Sequence, residues 1–193
     1  MRYTSLMIAF VRLANLLVAA ALALGLSAYA PFAAEDEPLE DLYRQLADPD
    51  TSDWPRVEVE ITRAWSRSGS SSMDLLLRRG RNALRARDYE AAIDHLTALV
   101  EQAPDFAEGW NARATAWYAM GEYGLSVEDI ARTLSLNPRH FGALAGLGAI
   151  YERIGLESRA LQAYRAALAI HPHIETVMQS VERLEERTRG QAI

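Results

Sequence analysis

The chain of 193 residues contains no cysteine. Disulfides, thiol catalysis, a cysteine-based zinc site and a lipid attached through cysteine are excluded together. Lysine is also absent, so all 20 basic residues are arginine. A Schiff base, a serine–lysine nucleophile and a P-loop lysine therefore have no ammonium group to use. Histidine is scarce, with four in all. The one local pair, His171 and His173, flanks Pro172 and lacks the i, i+4 spacing that sets two imidazoles on one helix face for a metal. That pair reads as an exposed turn, and His95 and His140 as surface or interface residues. Gly142, Gly146 and Gly148 do not make a G-x-G-x-x-G and follow a proline turn, so no phosphate cradle is indicated. Ser70-Ser71-Ser72 has neither an elbow nor a base in register and reads as a linker. No catalytic constellation, cofactor or metal is expected. An excess of positive charge is missing too: 26 carboxylates give a formal net charge of −6. Nucleic-acid binding, which needs a net basic surface, is not expected.

The N-terminus reads as a targeting segment. Arg2 and Arg12 precede an apolar stretch from Leu13 to Tyr29, followed by small residues and the acidic Glu35-Asp36-Glu37. That order of basic, apolar and small residues is a secretory signal. Cleavage near Ala33 or Ala34 gives an exported, periplasm-facing chain. The alternative is an uncleaved anchor in the inner membrane, although seventeen residues is short against the roughly 20 usual for a span. After this 1–34 segment comes an acidic stretch, 35–72, with ten carboxylates against four arginines. Within it Leu39, Leu42, Tyr43 and Leu46 share one helical face, as do Val57, Ile61, Ala64 and Trp65 in a second helix entered through Asp53-Trp54-Pro55. Asp53 is a candidate cap, and the serines of 66–72 are candidate caps for the next helix.

Beyond residue 72 the chain repeats. Pro104, Pro138 and Pro172 are 34 residues apart and close units at 73–106, 107–140 and 141–174. The eighth and twentieth positions stay small in every copy (Gly80, Ala114, Gly148 and Ala92, Ser126, Ala160), as two antiparallel helices in close approach require. Gly121 and Gly155 occupy equivalent turns, where a left-handed residue ends a helix. Arg87 stands at that place in the first copy, so its turn is expected to cost roughly 1 kcal/mol if the geometry is kept. Helices are expected near 74–87, 90–103, 107–120, 124–136, 141–154 and 158–170. A last one, 174–189, caps the far end, and the two upstream helices are expected to cap the near end.

Leu144, Leu147, Gly148, Tyr151, Ala160, Tyr164, Ala167 and Pro172 of the third unit resemble the tetratricopeptide repeat (TPR) pattern. The second unit departs from it at Arg113 and Thr133, the first at Arg79 and Leu99. The resemblance implies an all-α, right-handed helix-turn-helix solenoid with helical end caps. It also implies a non-catalytic module that binds a peptide or helix of a partner protein on the concave face lined by the first helix of each repeat. Carried over by position, the candidate partner-binding residues are Arg78, Arg81 and Arg85 in the first repeat, Asn111, Thr115 and Tyr118 in the second, and Glu152 and Arg153 in the third. The arginines fall at i, i+3 and i+7 and form one stripe that either receives carboxylates of a ligand or is solvated and paired with Asp74, Asp88 and neighbouring repeats. Gly142, Ala145, Gly146 and Ala149 present almost no side chain, which admits a ligand backbone or helix. At the places of the chaperone-tail clamp of such domains this chain has Leu77, Ala112, Gly142, Gly146 and Arg81, which points away from that ligand. Two alternatives stay open: a self-assembling or autoinhibited scaffold whose acidic N-terminal segment occupies the groove, and an accessory subunit of an envelope enzyme.

Overall fold

A computed structural model describes residues 37 to 190, and the targeting segment expected at 1–34 lies outside them. Among the described residues there are nine helices and no strand. Two precede the repeats, α1 (Glu37–Ala47) and α2 (Trp54–Trp65). Three hairpins follow: α3 (Ser71–Arg85) with α4 (Tyr89–Gln102), α5 (Ala107–Met120) with α6 (Tyr123–Leu136), and α7 (Phe141–Arg153) with α8 (Glu157–Ile170). The chain closes with α9 (Glu175–Gly190). Each hairpin packs on itself, the second helix of one packs on the first helix of the next, and α5 also touches α3 and α7. The result is a helical solenoid.

The repeated small positions are where the hairpins close. A Cβ placed on Gly80 would lie 2.5 Å from Cγ of Leu96, and one on Gly148 would lie 2.4 Å from the Tyr164 ring. In the second hairpin Ser126 donates to the Ala114 carbonyl at 2.8 Å, so a polar side chain is satisfied where the helices touch. The three turns share one geometry. Gly121 has φ of 85°, Gly155 of 78° and Arg87 of 60°, and in each turn the next amide reaches back five residues to a carbonyl at 2.8 to 2.9 Å. Arg87 therefore holds a left-handed conformation that disfavours any residue with a Cβ.

Both departures from the repeat pattern in the second hairpin have a compensating partner. Arg113 makes a two-pronged contact with Asp129, each hydrogen bond 2.8 Å long, and Thr133 donates to the Asp129 carbonyl at 2.9 Å. Asp129 and Thr133 are buried. A paired, planar guanidinium replaces the expected leucine without stranding a charge.

At the far end α9 caps the third hairpin, with Val177 and Leu184 buried against Ala160, Leu161 and Tyr164. The expected near-end cap is not formed. Rather than joining the cluster of the first hairpin, Tyr43, Leu46, Val57 and Ile61 pack with Phe141, Ile170 and Ile174. Aromatic and polar contacts fix this docking. Trp65 stacks on His140 at 4.3 Å, Trp54 stacks on His173 at 5.5 Å, and Arg139 lies 3.9 Å over the Tyr43 ring while pairing with Glu40. His171, expected in an exposed turn, is buried beneath this pair. The expected caps differ as well. Asp53 binds Arg56 instead of capping α2, and Ser70 leaves α3 uncapped by its side chain while Asp74 accepts from Ser68.

Two substitutions check the hairpin geometry by urea denaturation. Arg87→Gly is expected to stabilise the chain by about 0.5–1 kcal/mol through relief of the left-handed turn. Gly148→Ala is expected to destabilise it by about 1–3 kcal/mol, because the Tyr164 ring must move.

Candidate functional site

The first helices of the hairpins, α3, α5 and α7, line one face, and between α5 and α7 that face opens into a groove of about 180 Å³. One wall is Asn111, Thr115 and Tyr118, each about one turn from the next on α5. The other is Gly142, Gly146 and Ala149 on α7, and Ser126 and Ile130 of α6 form the floor. The width comes from side chains that are not there: a Cβ on Gly146 would meet its nearest neighbour, Cδ1 of Ile130, only at 3.8 Å. Tyr118 is 37% exposed and leans on Tyr123 with ring centroids 5.6 Å apart. The Thr115 hydroxyl donates to the Asn111 carbonyl at 3.0 Å and so is satisfied on its own helix.

Three of the eight residues singled out in the sequence thus converge here, and five lie elsewhere. Arg78 is exposed on α3, and Arg85 binds Asn82 on its own helix. Arg81 is drawn inward, to Ser66 at 2.9 Å and to Glu108. Glu152 is occupied on its far side by Arg183 and Arg187 of α9 and by the Tyr164 hydroxyl. Partial burial works against its charge, but Arg183 and Tyr164 hold its carboxyl below the ordinary range, while Tyr164 itself is pushed up to about 12 by burial and by Glu152. Arg153 donates to the Tyr123 hydroxyl at 3.0 Å. Ala145 turns away from the groove and packs in the α8–α9 cluster.

A polar centre beside the groove was not singled out in the sequence. Glu108, 5% exposed, binds Arg81 of the first hairpin through one oxygen and His140 Nε2 through the other, at 2.9 Å. His140 Nδ1 accepts the Ala143 amide at 3.0 Å and caps α7. Because Nδ1 accepts, Nε2 carries the proton and donates to Glu108. Burial opposes the charge on Glu108, yet His140 and Arg81 together hold its carboxyl below the ordinary glutamate range. Trp65 then lies flat against the imidazole. The one sequence signal for this centre is Glu108 in the first turn of the second unit, with a histidine, His140, as that unit's last residue.

Three stacked helical hairpins with an apolar inner groove define a helical repeat protein. The sequence matches the tetratricopeptide repeat family over residues 77–127 and 113–173. It is 37% identical over 155 residues to a TPR repeat-containing protein of Rhizobium etli, covering 79% of this chain and 75% of that one. The chain belongs to the tetratricopeptide repeat family. It is also 30% identical over 118 residues to small glutamine-rich tetratricopeptide repeat-containing protein 2 of Saccharomyces cerevisiae, 61% of this chain but only 34% of that protein's length. Among solved structures, the first TPR of Spaghetti (RPAP3) bound to the HSP90 peptide SRMEEVD shares the fold with a TM-score of 0.60 at 18% identity, over 62% of this chain and 95% of that one.

Glu108→Ala is expected to cost about 3 kcal/mol at neutral pH, because Arg81 and His140 lose a shared buried partner. The folded-state carboxyl is held low, so its contribution is full above the ordinary glutamate range and disappears as pH falls through the lowered value. Urea melts at neutral and strongly acidic pH are expected to show the gap between wild type and variant shrinking in acid.

Proposed function

We propose that this chain is a non-catalytic protein-interaction module of the cell envelope that holds a peptide or helix of a partner protein in the groove between α5 and α7. The observation that carries the reading is the groove itself: an open, largely apolar trough with one wall reduced to glycine and alanine, where a partner's backbone can approach, and one exposed tyrosine at its lip. Aromatic side chains in such a position dominate many interfaces. Membership of a family with a peptide-bound neighbour supports the same use. The partner differs from a chaperone tail, since Leu77 and Ala112, standing where that clamp needs polar groups, are buried. Export rests on the basic, apolar and small order of residues 2–34. None of the described helices is long and apolar enough to cross a membrane.

A second reading is an autoinhibited scaffold. It draws on the docking of α1 and α2 in cis, with Trp65 against His140 and His140 adjacent to Gly142 at the groove. Of the acidic segment's carboxylates, Glu40 meets Arg139; among the segment's described residues the Arg78–Arg85 stripe is reached only by the Ser66 hydroxyl, on Arg81, and the groove stays open beside it.

Gly146→Leu tests the groove without confusing binding with folding. A Cβ there meets only ordinary contacts, and replacing a helical glycine gains up to about 1 kcal/mol, so the fold is expected to hold while the side chain fills the trough. Capture of a partner from envelope extracts, and its affinity once purified, is expected to fall more than about tenfold for Gly146→Leu and for Tyr118→Ala. Unchanged affinity in both variants would move the binding face elsewhere.

A further inference from the structure

His171 follows α8 and is almost fully enclosed, at 1% exposure. Phe141 meets its ring edge-on at 4.9 Å, Trp54 of α2 lies at 5.6 Å and His173 of the same turn at 6.0 Å. Its Nε2 stands 3.6 Å from a Glu58 oxygen on α2, beyond hydrogen-bond reach. Its Nδ1 is buried with no hydrogen-bond partner among the described residues. The neutral ring tolerates these surroundings. An imidazolium carries two N–H donors, and here one would have no acceptor and the other only a part-exposed carboxylate at ion-pair rather than hydrogen-bond distance.

We propose that α1 and α2 form a clasp released by protonation of His171, which lets go of the third hairpin in mild acid and uncovers Phe141, Ile170 and Ile174. The charged groups acting on the ring are Glu58 from α2 and His173 from the turn before α9. α7 contributes Phe141, and the α1–α2 connection reaches this region through the Asp48 carbonyl, which His173 Nε2 meets at 3.0 Å. Burial lowers the proton affinity of His171 below that of a free imidazole; Glu58 opposes this and His173 adds to it. The undocked state therefore takes up the proton more readily, and docking weakens as pH falls below the ordinary histidine value. The same contacts tie the clasp down at neutral pH: Trp54 stacks on His173, and Ile61 and Leu46 pack in the cluster that holds Phe141.

Hydrogen exchange of the full chain tests this, after correction for the intrinsic dependence of exchange on pH. Between about pH 7.5 and about pH 5.5, protection of 54–65 is expected to fall by up to about tenfold, with α5 to α8 unchanged. In His171→Phe, which keeps an aromatic ring but has no proton to take up, protection of 54–65 is expected to persist at the lower pH. Equal protection of wild type at both pH values, or the same loss in His171→Phe, would overturn the proposal. Should that variant fail to fold, NMR titration of the wild-type His171 ring decides the matter. One shared midpoint for ring protonation and α2 release supports the clasp, and separate midpoints overturn it.

Discussion

A single buried carboxylate ties this solenoid together across its repeats. Glu108 is desolvated, so its charge must be answered inside the protein, and each answer comes from a different hairpin. Arg81 reaches it from the first, and His140 reaches it from the boundary between the second and third while capping α7. Arg81 also holds Ser66, and His140 carries the Trp65 ring, so the N-terminal pair is registered against the same centre. Repeat proteins derive most of their stability from contacts between neighbours. Here a polar chain spans more than one neighbour and couples the hairpins to the segment that precedes them.

That coupling shapes the groove. The lip on the α7 side begins at Gly142, two residues beyond His140, and the width depends on α7 standing where its cap places it. The α5 wall begins one turn beyond Glu108, with Asn111 donating weakly back to it at 3.4 Å. An apolar trough with absent side chains has little means of its own to hold its walls apart. The hairpin cores on either side do so: Leu96 and Leu99 behind α5, and Leu161 and Tyr164 behind α7. The groove thus combines a rigid frame with an accessible surface, the arrangement that lowers the ordering cost of binding.

Much of this was legible in the sequence because repeats restate their own constraints. The 34-residue period, the closing prolines and the small eighth and twentieth positions recur three times, and even the strained turn at Arg87 follows from comparison with Gly121 and Gly155. Asn111, Thr115 and Tyr118 were legible as a wall for the same reason. The destination of α1 and α2 was not. An amphipathic face states that a helix must pack, while its partner here lies about a hundred residues away in sequence, as Glu40 and Arg139 show. Pairing of Arg81 with a neighbouring repeat was one of the readings the sequence left open, and Glu108 is the partner, but the engagement of Glu152 by α9 was not legible. Spacing placed them correctly on their helices, but whether a charged side chain meets solvent or a partner depends on tertiary neighbours. The pairing of Arg113 with Asp129 was hidden likewise, as two separate oddities of one repeat.

The most direct test of the groove as the binding surface is site-specific photocrosslinking in the full chain, with a benzophenone side chain placed in turn at Thr115 on the α5 wall and at the exposed Glu128 of α6, which does not line the groove. The groove account predicts a partner adduct from position 115 and none from 128. Adducts from 128 alone would contradict it and place recognition on the outer face.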